Sequence, residues 1–85
     1  MDFSSALTHV KNGKRLNRVI WQNELVFIEL RKKPYIVENE LDRVITSREF
    51  IQIRKNDGSY EPWIPSHSDM LSNDWKIIEL KAELH

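Results

Sequence analysis

The sequence predicts an α+β domain, in which an antiparallel sheet of about five strands packs with two short helices. Five segments are rich in β-branched and aromatic residues over strand lengths, and turn sequences separate them. Two other short segments start with a residue that favours a helix N-cap and continue with apolar side chains. With 85 residues, the chain is predicted to be a single domain, residues 1–85. A domain of this size buries a smaller fraction of its unfolded surface than a large one does, and contact with a partner subunit would therefore add stability.

The first helix is predicted near the amino end. Ser4 is the expected N-cap, because its hydroxyl can accept a hydrogen bond from a backbone NH one turn further on. The apolar residues that follow share one face of this helix: Ala6, Leu7 and Val10. Asn12 and Gly13 are expected to end it, since glycine adopts the left-handed conformation common after a helix.

The next two strands are predicted at residues 16–21 and 25–30, joined by the polar residues 22–24 as a hairpin. Residues 35–37 are typical of a short or edge strand, because Pro34 cannot donate to a ladder. Residues 38–46 fit either a helical turn or a polar turn leading into a strand, and the sequence leaves both open.

The second half begins with a strand at residues 50–55, followed by a strong turn sequence at 56–59 and a returning strand at 60–63. Ser66 is the expected cap of a second short helix, and Asp69 lies near its positive start. Met70 and Leu71 are expected to form its buried face. Trp75, Ile77 and Leu80 predict a closing strand.

Composition excludes several classes of function. The chain has 13 basic and 13 acidic residues, which is too balanced for the broad positive field of a duplex nucleic-acid binder. Residues 1–37 nevertheless sum to a net charge of plus four and residues 38–85 to minus four, so a local anion site remains compatible with the sequence. The longest apolar run has four residues, so neither a membrane span nor a signal peptide is predicted.

Catalytic and metal-binding patterns are weak. Cysteine is absent from the sequence, and its three histidines lack the paired spacing of a zinc helix, so no metal site and no cofactor are expected. The segment around His67 contains the residue types of a hydrolytic triad, but neighbours in sequence rarely converge in that geometry. Nucleotide phosphodiesterases of one type carry two motifs in which a His is followed two places later by Ser or Thr, and this sequence has no such motif. No catalytic residue is therefore assigned.

Tryptophan stands out, with three in 85 residues. Trp75 starts an apolar strand and is expected in the core. Trp21 and Trp63 lie beside polar residues at strand ends, so they are either core anchors or platforms on which a planar base stacks.

A fourteen-residue segment resembles a motif of the second Thoeris anti-defence family, found in phages and prophages. Members of that family typically have Pro-Trp, two spacers, Ser, two spacers, Asp-Met-Leu, two spacers and Asp-Trp, and the spacing here is the same from Pro62 to Trp75. The amino-terminal half is also similar, in the separation of Phe3, Gly13 and Trp21. The resemblance covers about residues 2–80.

The resemblance implies a non-enzymatic sponge. Such proteins bind a cyclic nucleotide immune messenger, glycocyclic ADP-ribose in the Thoeris case, and sequester it uncleaved. They form homo-oligomers, commonly tetramers, with ligand pockets at subunit interfaces. For this chain, the resemblance implies a cyclic nucleotide ligand, a homo-oligomer that is expected to be a tetramer, and action in the cytoplasm of the infected bacterial host. Which cyclic nucleotide is bound stays open.

On this hypothesis each candidate ligand-binding residue has a role. Trp21 and Trp63 stack on bases, and Arg18, with Lys14 as a further candidate, pairs with phosphates. Hydrogen bonds to ribose hydroxyls or a base edge are assigned to three polar residues: Asn23, Ser66 and Asp69. For the last two, helix capping is an equally good explanation. Two other classes remain open, a protein interaction module that inhibits a bacterial defence enzyme and an enzyme acting on a nucleotide.

Overall fold

The computed structural model describes residues 1–32, 36–38, 44–46 and 49–79, of which the two short segments are described by their backbone alone. Two helices are seen in these ranges, α1 (Phe3–Lys11) and α2 (His67–Leu71), and a 3-10 turn covers Val19–Trp21. The strands are β1 (Arg15–Arg18), β2 (Phe27–Arg31), β3 (Ile36–Glu38), β4 (Val44–Thr46), β5 (Phe50–Arg54), β6 (Tyr60–Pro62) and β7 (Trp75–Ile78).

Five strands form one antiparallel sheet in the order β6-β5-β2-β1-β7, which confirms the predicted fold class. The register places Leu16 opposite Ile28 between β1 and β2, and Arg18 opposite Trp75 between β1 and β7. The sheet therefore brings the start of the chain against its last described strand.

The core lies between α1 and one face of this sheet. Ala6 and Val10 of α1 pack against Leu16, Ile28 and Trp75, and all five side chains are buried. Directly opposed residues in antiparallel strands share a face. The other face of the sheet carries a hydrogen-bonded row formed by Arg15, Glu29 and Gln52, beside the buried side chain of Phe27.

Helix α1 begins earlier than the sequence indicated, so the prediction that Ser4 caps it is wrong. Asp2 is the N-cap, and its carboxylate accepts a hydrogen bond from the backbone N of Ser5 at 2.9 Å. Ser4 already lies within the first turn. The prediction that Asn12 and Gly13 end the helix is confirmed, because Asn12 is the C-cap and Gly13 has a φ of 91°.

The first predicted hairpin is shorter than expected. β1 ends at Arg18 because hydrogen bonds to Asp74 stabilise the 3-10 turn that follows. The Asp74 carbonyl accepts from Val19 N, and the Asp74 carboxylate accepts from Ile20 N. β2 starts at Phe27 because the preceding residues form a turn around Asn23. The antiparallel pairing of the two strands is confirmed.

The middle of the chain forms a second, two-stranded sheet of β3 and β4. Residues 44–46 are therefore a strand, which favours the polar-turn interpretation over the helical one; Tyr35 and residues 39–43 lie outside the described residues. Further on, the predicted turn at 56–59 is confirmed by the hydrogen bond from Lys55 N to Ser59 O at 2.8 Å. Gly58 has a φ of 84° there.

Helix α2 has the predicted cap but not the predicted buried face. Met70 is 39% exposed and Leu71 82% exposed, while Asp69 is the buried residue of this helix. Burial of Asp69 is tolerated because its carboxylate is paired with Arg18. In β7, Trp75 and Ile78 are buried, Ile77 is exposed, and Leu80 lies outside the described residues.

Within the described ranges, no helix is long and apolar enough to cross a membrane.

Candidate functional site

Three indole rings and one phenyl ring meet at the end of the sheet, and we call Phe3, Trp21, Trp63 and Trp75 the aromatic cluster. Trp75 lies at its centre and is 2% exposed, so its predicted place in the core is confirmed. Trp21 packs edge-to-face on it at a centroid distance of 5.4 Å, and Trp63 does so at 5.8 Å. Phe3 packs 6.0 Å from Trp63 and 6.0 Å from Trp75.

Three separate elements place these indoles. Trp21 ends the 3-10 turn after β1, and Trp75 begins β7. Trp63 follows β6 directly, and its backbone N donates to the Ile51 carbonyl at 2.9 Å, which continues the ladder by one residue. Trp21 and Trp63 are half-buried and pack on the core, so each ring combines an internal contact with a solvent-accessible part.

A buried ion network lies beside the aromatic cluster. The Arg18 side chain is 8% exposed. Its Nη1 lies 3.0 Å from Asp69 Oδ1, and its Nε lies 2.9 Å from Asp74 Oδ1. The same Nη1 donates to Ser68 Oγ at 3.2 Å. Arg18 is thus held between α2 and the start of β7.

This network shifts the pKa values of Arg18 and Asp74. Burial alone would lower the pKa of Arg18, but hydrogen bonds to Asp74 and Asp69 outweigh it and raise the pKa above its ordinary value. Burial alone would raise the pKa of Asp74, but hydrogen bonds from Arg18 and Ile20 N hold it below its ordinary value. Arg18 and Asp74 are therefore both charged near neutral pH.

The capping box of α2 ties the network to the central indole. Ser66 Oγ accepts from Asp69 N at 3.0 Å, and Asp69 Oδ2 accepts from Ser66 N at 2.9 Å. The Asp69 carbonyl accepts from Trp75 Nε1 at 3.0 Å. Both capping and ion pairing therefore act on Asp69, and the capping role expected for Ser66 and Asp69 is confirmed.

The structure thus brings Arg18, Ser66 and Asp69 together. Asn23 makes its contacts elsewhere, in the connection between β1 and β2. Its Nδ2 donates to Asn56 Oδ1 at 2.8 Å, and its Oδ1 accepts from Leu25 N at 2.9 Å. Asn23 also lines a cleft of about 490 Å³ on that side of the molecule.

Asp74 is a residue that the sequence reasoning quoted in a motif without giving it a role. It joins Arg18 to the 3-10 turn that carries Trp21, by one side-chain and one backbone contact of its carboxylate. The one sequence signal for this role of Asp74 is its position directly before Trp75, a residue expected in the core. Lys14 is exposed on the turn after α1.

No group of three or more His, Cys, Asp or Glu side chains in the described part of the chain is arranged to hold a metal ion.

Comparison with known proteins identifies a family and a relative of this chain. The family model described as Tad2-like, the Thoeris anti-defense 2-like domain, matches residues 1–78. A curated protein called Thoeris anti-defense 2, from Bacillus phage SP01, is 26% identical over 84 residues, which is 92% of this chain and 94% of that protein. The family match includes all described strands and both helices.

Proposed function

Because the chain belongs to the Thoeris anti-defense 2-like family, as its Pro62 to Trp75 motif indicated, we propose that it binds and sequesters a cyclic nucleotide immune messenger without cleaving it. The messenger is glycocyclic ADP-ribose or a related cyclic nucleotide. The protein would act in the cytoplasm of the host that a phage has infected, and it would work by stoichiometric capture.

The aromatic cluster is the observation that carries the proposal. Trp21 and Trp63 are half-buried, and each is fixed against Trp75 by an edge-to-face contact. A ring already held in one rotamer loses little conformational freedom when a base stacks on it. Such stacking contributes about 1–3 kcal/mol per base. Two fixed indoles are therefore well suited to a ligand with a base and a rigid cyclic backbone.

The polar residues of the proposed site are Arg18, Asn23, Ser66 and Asp69. We propose Arg18 for phosphate contact and the other three for hydroxyl or base-edge contact. In the free chain Asp69 is hydrogen-bonded both to Arg18 and to Ser66, so ligand contact requires that at least one of these bonds be exchanged. Such an exchange favours an anionic ligand, which can replace a carboxylate beside Arg18.

Sequestration of a scarce messenger needs tight binding. A nanomolar dissociation constant corresponds to about 12 kcal/mol, which is more than two stacked bases supply. Enclosure by a second subunit would add contacts, and we propose a homo-oligomer, a tetramer as in the family, for this reason.

Tryptophan fluorescence tests the proposal. Titration with glycocyclic ADP-ribose and with cyclic di- and trinucleotides should change the emission with one of them at nanomolar affinity, because Trp21 and Trp63 contact the ligand. A flat response to all of them contradicts the proposal and favours the interaction module.

Four well-exposed aliphatic side chains support that alternative: Val19, Ile20, Ile64 and Leu71.

The fate of the ligand separates a sponge from an enzyme. The complex is heated to unfold the protein, and the released ligand is identified by mass spectrometry. We expect the molecule to return unchanged in the amount captured. A changed mass or a turnover above one per chain would show catalysis instead.

A further inference from the structure

A cleft of about 490 Å³ lies apart from the ion network, between the connection of β1 to β2 and strand β7. Its size falls in the range of about 300–1,000 Å³ that small-molecule sites occupy. Its apolar surface comes from Val19 and Leu25, which are 56% and 52% exposed. These two side chains offer an exposed apolar contact for a flat ring.

Three polar groups on the cleft have no hydrogen-bond or ion-pair partner among the described residues: the Gln22 amide, the Glu24 carboxylate and the Lys76 ammonium. Gln22 is held in the left-handed conformation at a φ of 55°, and its backbone N donates to the Val19 carbonyl at 3.1 Å. Arg18, by contrast, already bonds two carboxylates. The cleft therefore carries a cation that can pair with a ligand without breaking an existing ion pair.

Asn17 lines the same cleft and supplies a second observation. It is 1% exposed, and its Nδ2 donates to the carbonyls of Asn23 and Val26 at 3.0 and 2.9 Å. These two bonds fix the orientation of the amide. Its Oδ1 is buried and has no partner among the described residues. A buried acceptor without a donor destabilises the free protein, so a ligand NH that reaches it gains affinity.

Lys76 lies directly across the β1–β7 pairing from Asn17. Both side chains consequently project from the same face of the sheet. An ammonium group on a flexible stem can move to admit a ligand to Asn17 and can then pair with an anionic group of that ligand. A buried acceptor, a free amide and a mobile cation around one apolar contact are groups that a base and its phosphate would engage together.

We propose that this cleft is a nucleotide subsite, which takes a base with an exocyclic amino group and the phosphate next to it. The amino group donates to Asn17 Oδ1, and the Gln22 amide reads the neighbouring edge of the base. The ring packs on Val19 and Leu25, Lys76 pairs with the phosphate, and Glu24 accepts from a ribose hydroxyl. This deepens the proposed function and rests on it for the claim that the messenger occupies the cleft.

The direct test uses AMP, IMP and adenosine as probes on ¹⁵N-labelled protein. AMP should shift the side-chain amide resonances of Asn17 and Gln22. IMP, which has an oxo group in place of the amine, should bind about tenfold more weakly because Asn17 Oδ1 stays unpaired. Lys76→Gln should weaken AMP about three- to tenfold and leave adenosine unchanged, since only AMP carries a phosphate.

Lys11→Gln is the matched control, because Lys11 is an exposed lysine at the end of α1 and lies outside the cleft. It should bind AMP like the unmodified chain. Equal affinity for AMP and IMP, or an equal effect of Lys76→Gln on AMP and adenosine, overturns the assignment. So does an AMP response that leaves both amide resonances unmoved.

Competition distinguishes this inference from the proposed function. Excess AMP should reduce capture of glycocyclic ADP-ribose if both use the cleft. Capture that is tight and insensitive to AMP and to Lys76→Gln overturns the cleft assignment while the sponge stands. If no cyclic nucleotide is captured, the proposed function fails, and the AMP shifts alone then decide whether the cleft binds nucleotides.

Discussion

At the scale of single residues, the feature with the largest consequence is the burial of Arg18. A buried guanidinium is tolerated only when hydrogen bonds and opposite charge replace its hydration. Asp69 in α2 and Asp74 directly before β7 supply both, and each is more than fifty residues from Arg18 in sequence. Removal of either carboxylate leaves part of the Arg18 charge buried without a partner, so the three residues stabilise the fold as a unit.

Asp74→Asn should lower the free energy of unfolding by about 1–3 kcal/mol at pH 7, since it removes a charged partner of Arg18. The pKa of Asp74 is lowered in the folded chain, so its stabilising effect is complete above an ordinary aspartate pKa of about 4 and is lost as the pH falls through the lower folded value. The difference from the unmodified chain should therefore shrink towards pH 3, as measured by urea unfolding at several pH values.

Glu61→Gln is the control for that experiment. Glu61 pairs with Lys55 at 3.5 Å, and both side chains are about half exposed, so its loss should have little effect at any pH. A deficit of Asp74→Asn that stays constant from pH 7 to pH 3 would contradict the role given to its ionised carboxylate.

Trp63→Leu should separate ligand contact from packing. Leucine keeps apolar contact with the cluster but offers no ring face, so capture of the messenger should weaken by about fivefold to a hundredfold. Phe3→Leu is the matched change, because Phe3, like Trp63, packs on the Trp75 ring and has no proposed stacking role. It should affect thermal stability without a comparable effect on capture. Equal losses of capture in both variants would make Trp63 a core residue only.

At the scale of elements, short helices in this fold depend on their caps. α2 has only five residues, too few for helix propensity to stabilise it, and the reciprocal bonds of Ser66 and Asp69 hold its start. That start also carries the carboxylate that Arg18 pairs with. The cap therefore organises the ion network as well as the helix.

Ser66→Ala should destabilise the protein by about 1 kcal/mol, since it leaves the Asp69 N without its capping acceptor. Ser4→Ala is the matched substitution in α1, where Asp2 rather than Ser4 is the cap. It should be neutral or slightly stabilising because alanine has the higher helix propensity. Thermal unfolding of both variants gives the comparison, and a larger loss for Ser4→Ala would reverse the assignment of the α1 cap.

At the scale of the whole molecule, strand order decides which residues meet. β1 lies between β2 and β7, so Arg18 lies opposite Trp75 although most of the chain separates them. The aromatic cluster, the ion network and the cleft all border this one pairing. Several aliphatic side chains outside it remain exposed, and either a second copy of the chain or the partner of an interaction module would cover them.

Native mass spectrometry should give the mass of four chains, as proposed from the family and from the need to enclose a ligand. Dilution to nanomolar concentration should retain this mass if the interface is that of an obligate oligomer. A single-chain mass at all concentrations would remove subunit enclosure from the proposed mechanism.

The sequence by itself determined that the domain has an antiparallel sheet of about five strands and two short helices. It also determined the turn at Gly58, the α2 capping box and the core position of Trp75. These follow from local conformational preferences and from the large apolar surface of an indole, which act over a few residues. Family membership also followed from local spacing, at Pro62 to Trp75.

Only the tertiary structure decided that β1 ends at Arg18, that Asp69 is buried while Leu71 is exposed, and that Asn17 and Lys76 share a cleft. Each depends on a partner supplied by the β1–β7 pairing, such as Asp74 for the end of β1 and Arg18 for the burial of Asp69. The energy of a buried charge is set by what lies a few ångströms away in space, and residues distant in sequence supply it.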